Sequence, residues 1–175
     1  MQLILSVLSD DRPGVVRALA SVVAEEQGNW LDCQLTRLAG KFAGVVCIDI
    51  PAARKASLET ALERLGKVGL RVLVDEVGQD IGHEVRYAMF NAAAPDRQGL
   101  VLEMSQALSE RGISVVNLQT ECSSMPYSGD PLFSARGQLA IPESLSLAAV
   151  EALLATVADE LAIDFSLNDM GSAEV

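Results

Sequence analysis

A short motif occurs twice in this chain, and the repetition predicts that the chain is built from two copies of one unit. Asp11-Arg12-Pro13-Gly14 in the first half corresponds to Asp96-Arg97-Gln98-Gly99 in the second. Each motif is followed by apolar residues at the spacing of one helical face, and then by the apolar–polar alternation of a strand with one buried face. The predicted helical faces are Val15, Val16, Leu19, Val22 and Val23 in the first copy and Leu100, Val101, Met104, Ala107 and Leu108 in the second.

Each copy is predicted to run strand, helix, strand, strand, helix, strand. The strands are expected near 2–9, 30–38, 42–50, 70–77, 85–93, 114–122, 133–141 and 162–168, and the helices near 14–27, 53–67, 98–111 and 145–160. This order gives an antiparallel four-stranded sheet with both helices on one face, the α+β ferredoxin-like βαββαβ arrangement. We expect domain 1 over residues 1–79, domain 2 over 80–170 and a frayed tail over 171–175, with Gly78–Gly82 as a short linker.

The second copy is longer than the first at one connection. Ala39-Gly40-Lys41 is a short turn between two predicted strands, whereas Ser123–Pro131 takes its place in the second copy and is rich in turn-forming residues. The longer segment is either a flexible hairpin loop or a loop that contacts a partner, because long loops often carry recognition.

Composition excludes several classes of protein. The net charge is −11 and the basic residues are scattered, so direct binding to nucleic acid is disfavoured, while a basic protein partner is permitted. No apolar run approaches the roughly 18–20 residues that span a bilayer. The first residues, MQLILSVLSDDRP, lack a basic leader and a cleavage-type end, so no signal peptide is expected. These features predict a soluble, cytoplasmic protein without membrane contact.

The residues that usually carry catalysis or bind metals are sparse. His83 is the one histidine, and Cys33, Cys47 and Cys122 are widely spaced with no Cys-x-x-Cys pair. Buried free thiols are the simplest reading, with Cys33 in the core beside Leu31 and Leu35. We therefore expect no catalytic residues, no metal site and no cofactor.

The junction at Asp11–Gly14 has two interpretations. As structure alone, Asp11 caps the free N–H groups of a helix and Pro13 occupies its first turn. As a functional site, those N–H groups and the positive end of the helix can receive a carboxylate, and an acidic side chain beside them can receive an ammonium group. An α-amino acid carries both charges. Asn29 and Trp30 follow Gly28 and are candidates to border the same cleft, although packing at an edge strand is the favoured interpretation of Trp30.

These residues resemble the ACT-domain family. The resemblance lies in the strand before Asp11-Arg12-Pro13-Gly14-Val15-Val16, the helix that these residues open, and the two strands from Gly28 to Pro51. Residues 2 to about 168 resemble a tandem pair of such domains, most similar to the glycine cleavage system transcriptional repressor group. By position, the resemblance implies ligand-binding residues at Asp11, Pro13, Gly14, Val15 and Asn29, and at Asp96, Gln98, Gly99 and Leu100 in the second copy.

The resemblance also implies regulation instead of catalysis. A small amino acid, with glycine as the first candidate, would bind at an interface between paired domains and change contact with a DNA-binding transcription regulator. Exposed sheet edges predict a homo-oligomer. The alternative is a ligand-free scaffold for dimerisation or interaction, and a small enzyme is disfavoured by the missing catalytic cluster.

Overall fold

The computed structural model describes residues 1–78, 85–125 and 128–169. The chain forms two compact units, Met1–Asp80 and Ile81–Val175. His83, the expected tail at 171–175 and the expected linker beyond Gly78 lie outside the described residues, as do two residues of the predicted long loop, Pro126 and Tyr127.

The first unit contains four strands and two α-helices, in the predicted order. They are β1 (Gln2–Asp10), α1 (Val15–Glu25), β2 (Asn29–Leu38), β3 (Lys41–Asp49), α2 (Lys55–Gly66) and β4 (Leu70–Glu76), with a 3-10 turn at Ala52–Arg54 before α2. All pairings in the sheet are antiparallel, and the strand order is β2-β3-β1-β4.

The second unit repeats this arrangement. Its elements are β5 (Val85–Pro95), α3 (Leu100–Ser109), β6 (Ser114–Ser124), β7 (Pro131–Pro142), α4 (Leu147–Leu161) and β8 (Asp164–Asp169). The strand order is β6-β7-β5-β8, again antiparallel throughout. The predicted fold class, two ferredoxin-like α+β units in tandem, is confirmed.

Each unit has one apolar core between its sheet and its helices. In β1 the residues alternate, so that Leu3, Leu5 and Val7 are buried while their neighbours are not. Burying an aliphatic side chain of this size contributes about 1.5–3 kcal/mol. The predicted helical faces are largely confirmed, with one exception at matching positions: Val16 and Val101 are 46% and 41% exposed.

The inward face of β2 belongs to the core only in part, contrary to prediction: Leu35 packs against the core, whereas Leu31 and Cys33 do not. Leu31 is 43% exposed, and Cys33 is also exposed. The reason is that β2 is an edge strand, and no residue of it is fully buried. The same holds for β6, where every residue is exposed. The expectation of buried thiols is therefore wrong for Cys33 and Cys122, whereas Cys47 is half-buried.

Trp30 is partly buried and packs against the core of the first unit. Of the two interpretations of this residue, packing is the one that the structure supports.

The β2–β3 hairpin is tight because its two linking residues adopt positive φ angles. Ala39 has φ 47° and Gly40 has φ 78°, as a type I′ turn requires. The matching hairpin of the second unit is longer, since β6 ends at Ser124 and β7 begins at Pro131.

Gly137 of β7 is a steric requirement of the sheet. A Cβ at this position would lie 2.1 Å from the backbone oxygen of Asn117 and 2.9 Å from Cε1 of Phe90. Gly137→Ala should therefore lower the free energy of unfolding by about 1–3 kcal/mol, because the neighbouring strand must move. Denaturant unfolding followed by circular dichroism measures this change.

Gly66→Ala is the matched control, since a Cβ on Gly66 would meet nothing within 4 Å. That variant should leave the stability unchanged or raise it by up to about 1 kcal/mol. Equal effects of the two substitutions would show that the β6–β7 spacing is not fixed by Gly137.

Candidate functional site

The helix α1 begins with a left-handed glycine. Gly14 has φ 92° and ψ 0°, and its carbonyl oxygen accepts from the N–H of Ala18 at 2.9 Å. In the described part of the chain, no side chain caps the helix. The predicted cap at Asp11 is therefore wrong, and Pro13 lies before the first turn instead of within it. Glycine serves here because a positive φ is strained for residues that carry a Cβ.

The absence of a side-chain cap leaves the end of α1 able to receive an anion. The first N–H groups of an α-helix have no intrahelical acceptor, and the aligned peptide dipoles make this end positive. Among these groups are the N–H groups of Val15 and Val16. We call the region formed by residues 11–18 the first corner.

Asp11 is fixed beside this end of the helix by two contacts. Its backbone N–H donates to the carbonyl oxygen of Gly40 at 3.0 Å, which ties the first corner to the β2–β3 hairpin. Its carboxylate Oδ2 lies 3.1 Å from Nη1 of Arg37, in an exposed ion pair. Asp10 pairs with Lys41, and the hydrogen bond from Lys41 holds the pKa of the Asp10 carboxyl below its usual range.

Two small cavities flank the first corner. One has a volume of about 260 Å³ and the other about 230 Å³, and both are lined by Arg12, Gly14 and Val15. Asp11 and Phe42 line the larger cavity; Pro13 and Ala18 line the smaller. Four of the predicted site residues, Asp11, Pro13, Gly14 and Val15, are thus brought together.

Arg12 was missed by sequence reasoning as a site residue, although it is part of the repeated motif. Its guanidinium donates to the carbonyl oxygen of Val68 and lies beside both cavities. Among the described residues it forms no ion pair with a carboxylate. A cation is therefore available to an anionic group that enters the first corner.

Asn29 does not border this cleft within its own unit. β3 pairs Lys41 with Asp10 at one end and Asp49 with Asn29 at the other. The length of β3 therefore separates Asn29 from the first corner, roughly 26 Å at the usual rise of a strand. The expectation of a shared cleft is wrong because β1 and β2 run in the same direction, which places the end of one and the start of the other at opposite ends of the sheet.

The second corner, residues 96–103, has the same backbone and a different chemistry. Gly99 has φ 92° and ψ −8°, and the N–H of Asp96 donates to Pro131 at 2.9 Å, as Asp11 does to Gly40. Here, however, Arg97 binds Glu103 through two hydrogen bonds of 2.9 and 2.6 Å. The Glu103 Oε1 atom lies 3.4 Å from the position of a Cβ on Gly99.

Glu103 therefore places a carboxylate of the chain itself beside the helix end of the second corner. The position equivalent to Glu103 in the first unit is Ala18, which carries no charge. Of the other residues predicted here, Gln98 replaces proline and Leu100 is buried in the core. The second corner has its cation neutralised, and an incoming carboxylate would be repelled.

Comparison with known proteins identifies the family. Residues 1–74 match the ACT domain. A UPF0237 protein of Methanocaldococcus jannaschii is 34% identical over 76 residues, which is 42% of this chain and 84% of that protein. The chain belongs to the ACT-domain family. The resemblance drawn from the repeated motif is confirmed.

Solved structures extend the likeness to both units. A crystal structure of an unknown protein from Galdieria sulphuraria has a TM-score of 0.79 at 24% identity and covers 97% of this chain and 98% of that one. A proposed glycine cleavage system transcriptional repressor has a TM-score of 0.76 at 18% identity and covers 98% of each chain. At these identities the likeness establishes the tandem ACT fold.

Within residues 1–78, 85–125 and 128–169, no group of three His, Cys, Asp or Glu side chains is placed to hold a metal ion. None of the described helices is long and apolar enough to cross a membrane.

The Arg97–Glu103 pair predicts a measurable titration. The hydrogen bonds from Arg97 lower the pKa of the Glu103 carboxyl, so this carboxyl should titrate below the ordinary value for glutamate, about 4.3. The pair then stabilises the fold above that pH, and its contribution is lost as the pH falls through the lowered pKa. NMR titration of the Glu103 side-chain carboxyl carbon measures the shift.

Arg97→Gln should return the pKa of Glu103 toward the ordinary value, whereas Arg111→Gln, which removes a charge from the end of α3, should not. An identical Glu103 titration in all three proteins would contradict the pairing.

Proposed function

We propose that this ACT protein is a cytoplasmic, non-enzymatic regulator that binds a small amino acid at its first corner and thereby changes its contact with a DNA-binding transcription regulator. The observation that carries the proposal is the difference between the two corners. Among the described residues, the first corner has a helix end with no side-chain cap and an arginine, Arg12, that forms no ion pair with a carboxylate, whereas the second corner holds its own carboxylate.

The chemistry of the first corner suits an α-amino acid. The carboxylate of the ligand would lie against the N–H groups of α1 and the guanidinium of Arg12, because anions are stabilised at helix N-termini and by arginine. The ammonium group would bind Asp11. The Asp11–Arg37 ion pair is exposed and contributes about 0–1 kcal/mol. Replacing Arg37 by the ammonium group of the ligand therefore costs little free energy.

The size of the ligand follows from the cavities. Volumes of about 230 and 260 Å³ accommodate a small amino acid such as glycine or serine. The likeness in fold to a proposed glycine cleavage system repressor makes glycine the first ligand to test and the glycine cleavage genes the first candidates for regulation. Asn29 lies at the far end of its own sheet. It can contribute to the first corner of one chain only when it belongs to a second copy of the chain.

Regulation would be indirect. The net charge of −11 disfavours contact with DNA and favours a basic surface on a protein partner. The ligand switches such a complex only to the extent that it binds one arrangement more tightly than the other.

The protein should bind one glycine per chain, at the first corner and not at the second. Isothermal titration calorimetry with glycine should give one bound molecule per chain, with the second corner silent. Ala18→Glu should abolish the binding heat, since it supplies the carboxylate that Glu103 supplies in the second unit. Ser21→Glu adds the same charge at an exposed position of α1 and is expected to bind glycine as the unchanged protein does.

Asp11→Ala separates a binding role from a structural one. The substitution should weaken glycine binding about tenfold or more, the loss of a charge-assisted hydrogen bond, while lowering the stability by less than about 1 kcal/mol. Arg37→Ala removes the same ion pair but keeps the carboxylate, so its affinity should be retained or increased. Equal affinity losses in both variants would show that Asp11 acts through the ion pair alone.

The regulatory part of the proposal is tested in cells. Transcripts of the glycine cleavage genes should respond to added glycine in cells with the unchanged chain and lose that response with Ala18→Glu. If added glycine changes the transcript levels in neither kind of cell, the glycine cleavage genes are not the target.

The second candidate function is a ligand-free interaction scaffold. The exposed edge strands β2 and β6 favour it, because unpaired strand edges can pair with another copy or another protein. Absence of binding heat and of a thermal shift with glycine, serine and the branched amino acids would establish the scaffold over the sensor, and sedimentation would give its oligomeric state.

A further inference from the structure

The open face of the second sheet, opposite its helices, contains a cavity that is separate from both corners. Its volume is about 560 Å³, more than twice that of either cavity at the first corner. Cavities of about 300–1,000 Å³ are typical of small-molecule sites. Its lining comes from all four strands, β5 to β8.

The register of the sheet places a continuous polar row across the floor of this cavity. Gln119 pairs with Arg136, Arg136 with Asn91, and Asn91 with Ser166. Since side chains alternate between the faces of a strand and the neighbouring Ala92 and Ala135 belong to the core, this row lies on the open face. The adjacent row carries a carboxylate at each end: Glu121, Ser134, Ala93 and Asp164.

Arg136 is held in this row through one N–H group of its guanidinium, which leaves the other N–H groups of the side chain for a ligand. Its Nε donates to Oε1 of Gln119 at 2.9 Å, and this is the side-chain contact that the described residues give it. No ion pair within the described ranges joins it to Glu121 or Asp164. The cavity therefore presents one cation at its centre and two carboxylates at its edges, none of which neutralises another by direct contact.

The fold itself does not require this polar floor. In the first unit the equivalent rows are Gln34–Val45–Ser6–Leu73 and Thr36–Ala43–Leu8–Arg71. Valine stands where the second unit has Arg136, and leucine stands where it has Ser166. The same sheet thus tolerates an apolar centre, so the fold does not require the polar side chains of Arg136 and Ser166 in the second unit.

We propose that this cavity binds a polar α-amino acid larger than glycine. The guanidinium of Arg136 can bind a carboxylate through two parallel hydrogen bonds. Glu121 or Asp164 would bind the ammonium group, and the amides of Asn91 and Gln119 would bind a polar side chain. The second unit thereby has a ligand site of its own, although its corner is filled by Glu103.

The test is a titration of the full-length protein with L-glutamine, followed by ¹H–¹⁵N NMR. Saturable shifts are expected in the backbone amides of Asn91, Gln119, Arg136 and Ser166. Arg136→Val, which installs the residue found at this place in the first unit, should weaken binding at least tenfold. Arg111→Gln removes one arginine charge elsewhere in the unit and should leave the affinity unchanged.

Further variants keep the result unambiguous. Arg136→Gln retains a polar side chain and should lose binding as Arg136→Val does, which excludes a packing effect of valine. Ala18→Glu should leave the glutamine shifts intact, since the first corner is a different site. No saturable shifts with L-glutamine at concentrations on the order of 10 mM, or equal affinity in the Arg136 variants, would overturn the proposal.

Discussion

A glycine in the left-handed region at the start of a helix is the constraint on which both corners depend. The first strand of each unit, β1 or β5, is an inner strand of its sheet, and where it ends the chain must turn sharply into a helix. Gly14 and Gly99 make this turn with the same φ of 92°. Because the turn is made by the backbone, neither helix is capped by any side chain that the structure describes, and the first N–H groups stay available. The fold therefore creates an anion-receptive helix end in each unit, before any side chain is chosen for binding.

Side chains then determine what each helix end does. In the second unit the anion beside the helix end is Glu103, which pairs with Arg97. In the first unit the equivalent residue is Ala18, which carries no charge. Duplication makes this divergence tolerable, since the proposed binding of an amino acid needs only one open corner. On the open sheet faces it is the second unit that carries the cation, since Arg136 stands where the first unit has Val45. The polar groups proposed to bind ligands thus lie on different surfaces of two units with one fold.

Periodicity predicted the elements and their order because the apolar faces of strands and helices are local properties of the sequence. Periodicity could not predict the exposure of a residue or its distance from another element, because both depend on where its strand lies in the sheet. Cys33 alternates as a core residue does, yet it is exposed because β2 is an edge strand. Asn29 follows the helix closely in sequence but lies at the far end of the sheet. Asp11 matches the preference for acidic helix caps, but the left-handed Gly14 replaces that cap. The polar row around Arg136 becomes visible only once four strands are in register.

The contacts of the first corner suggest how a bound ligand would be sensed at a distance. Asp11 links the helix end to the hairpin through its N–H, and to β2 through the ion pair with Arg37. A ligand ammonium group that binds Asp11 must displace Arg37, which frees a cation on an edge strand. On that strand Leu38, 75% exposed, lies beside Arg37. Since the edge of a sheet is where another chain can pair, the proposed ligand would alter the charge of the surface that a partner meets, without any rearrangement of the core.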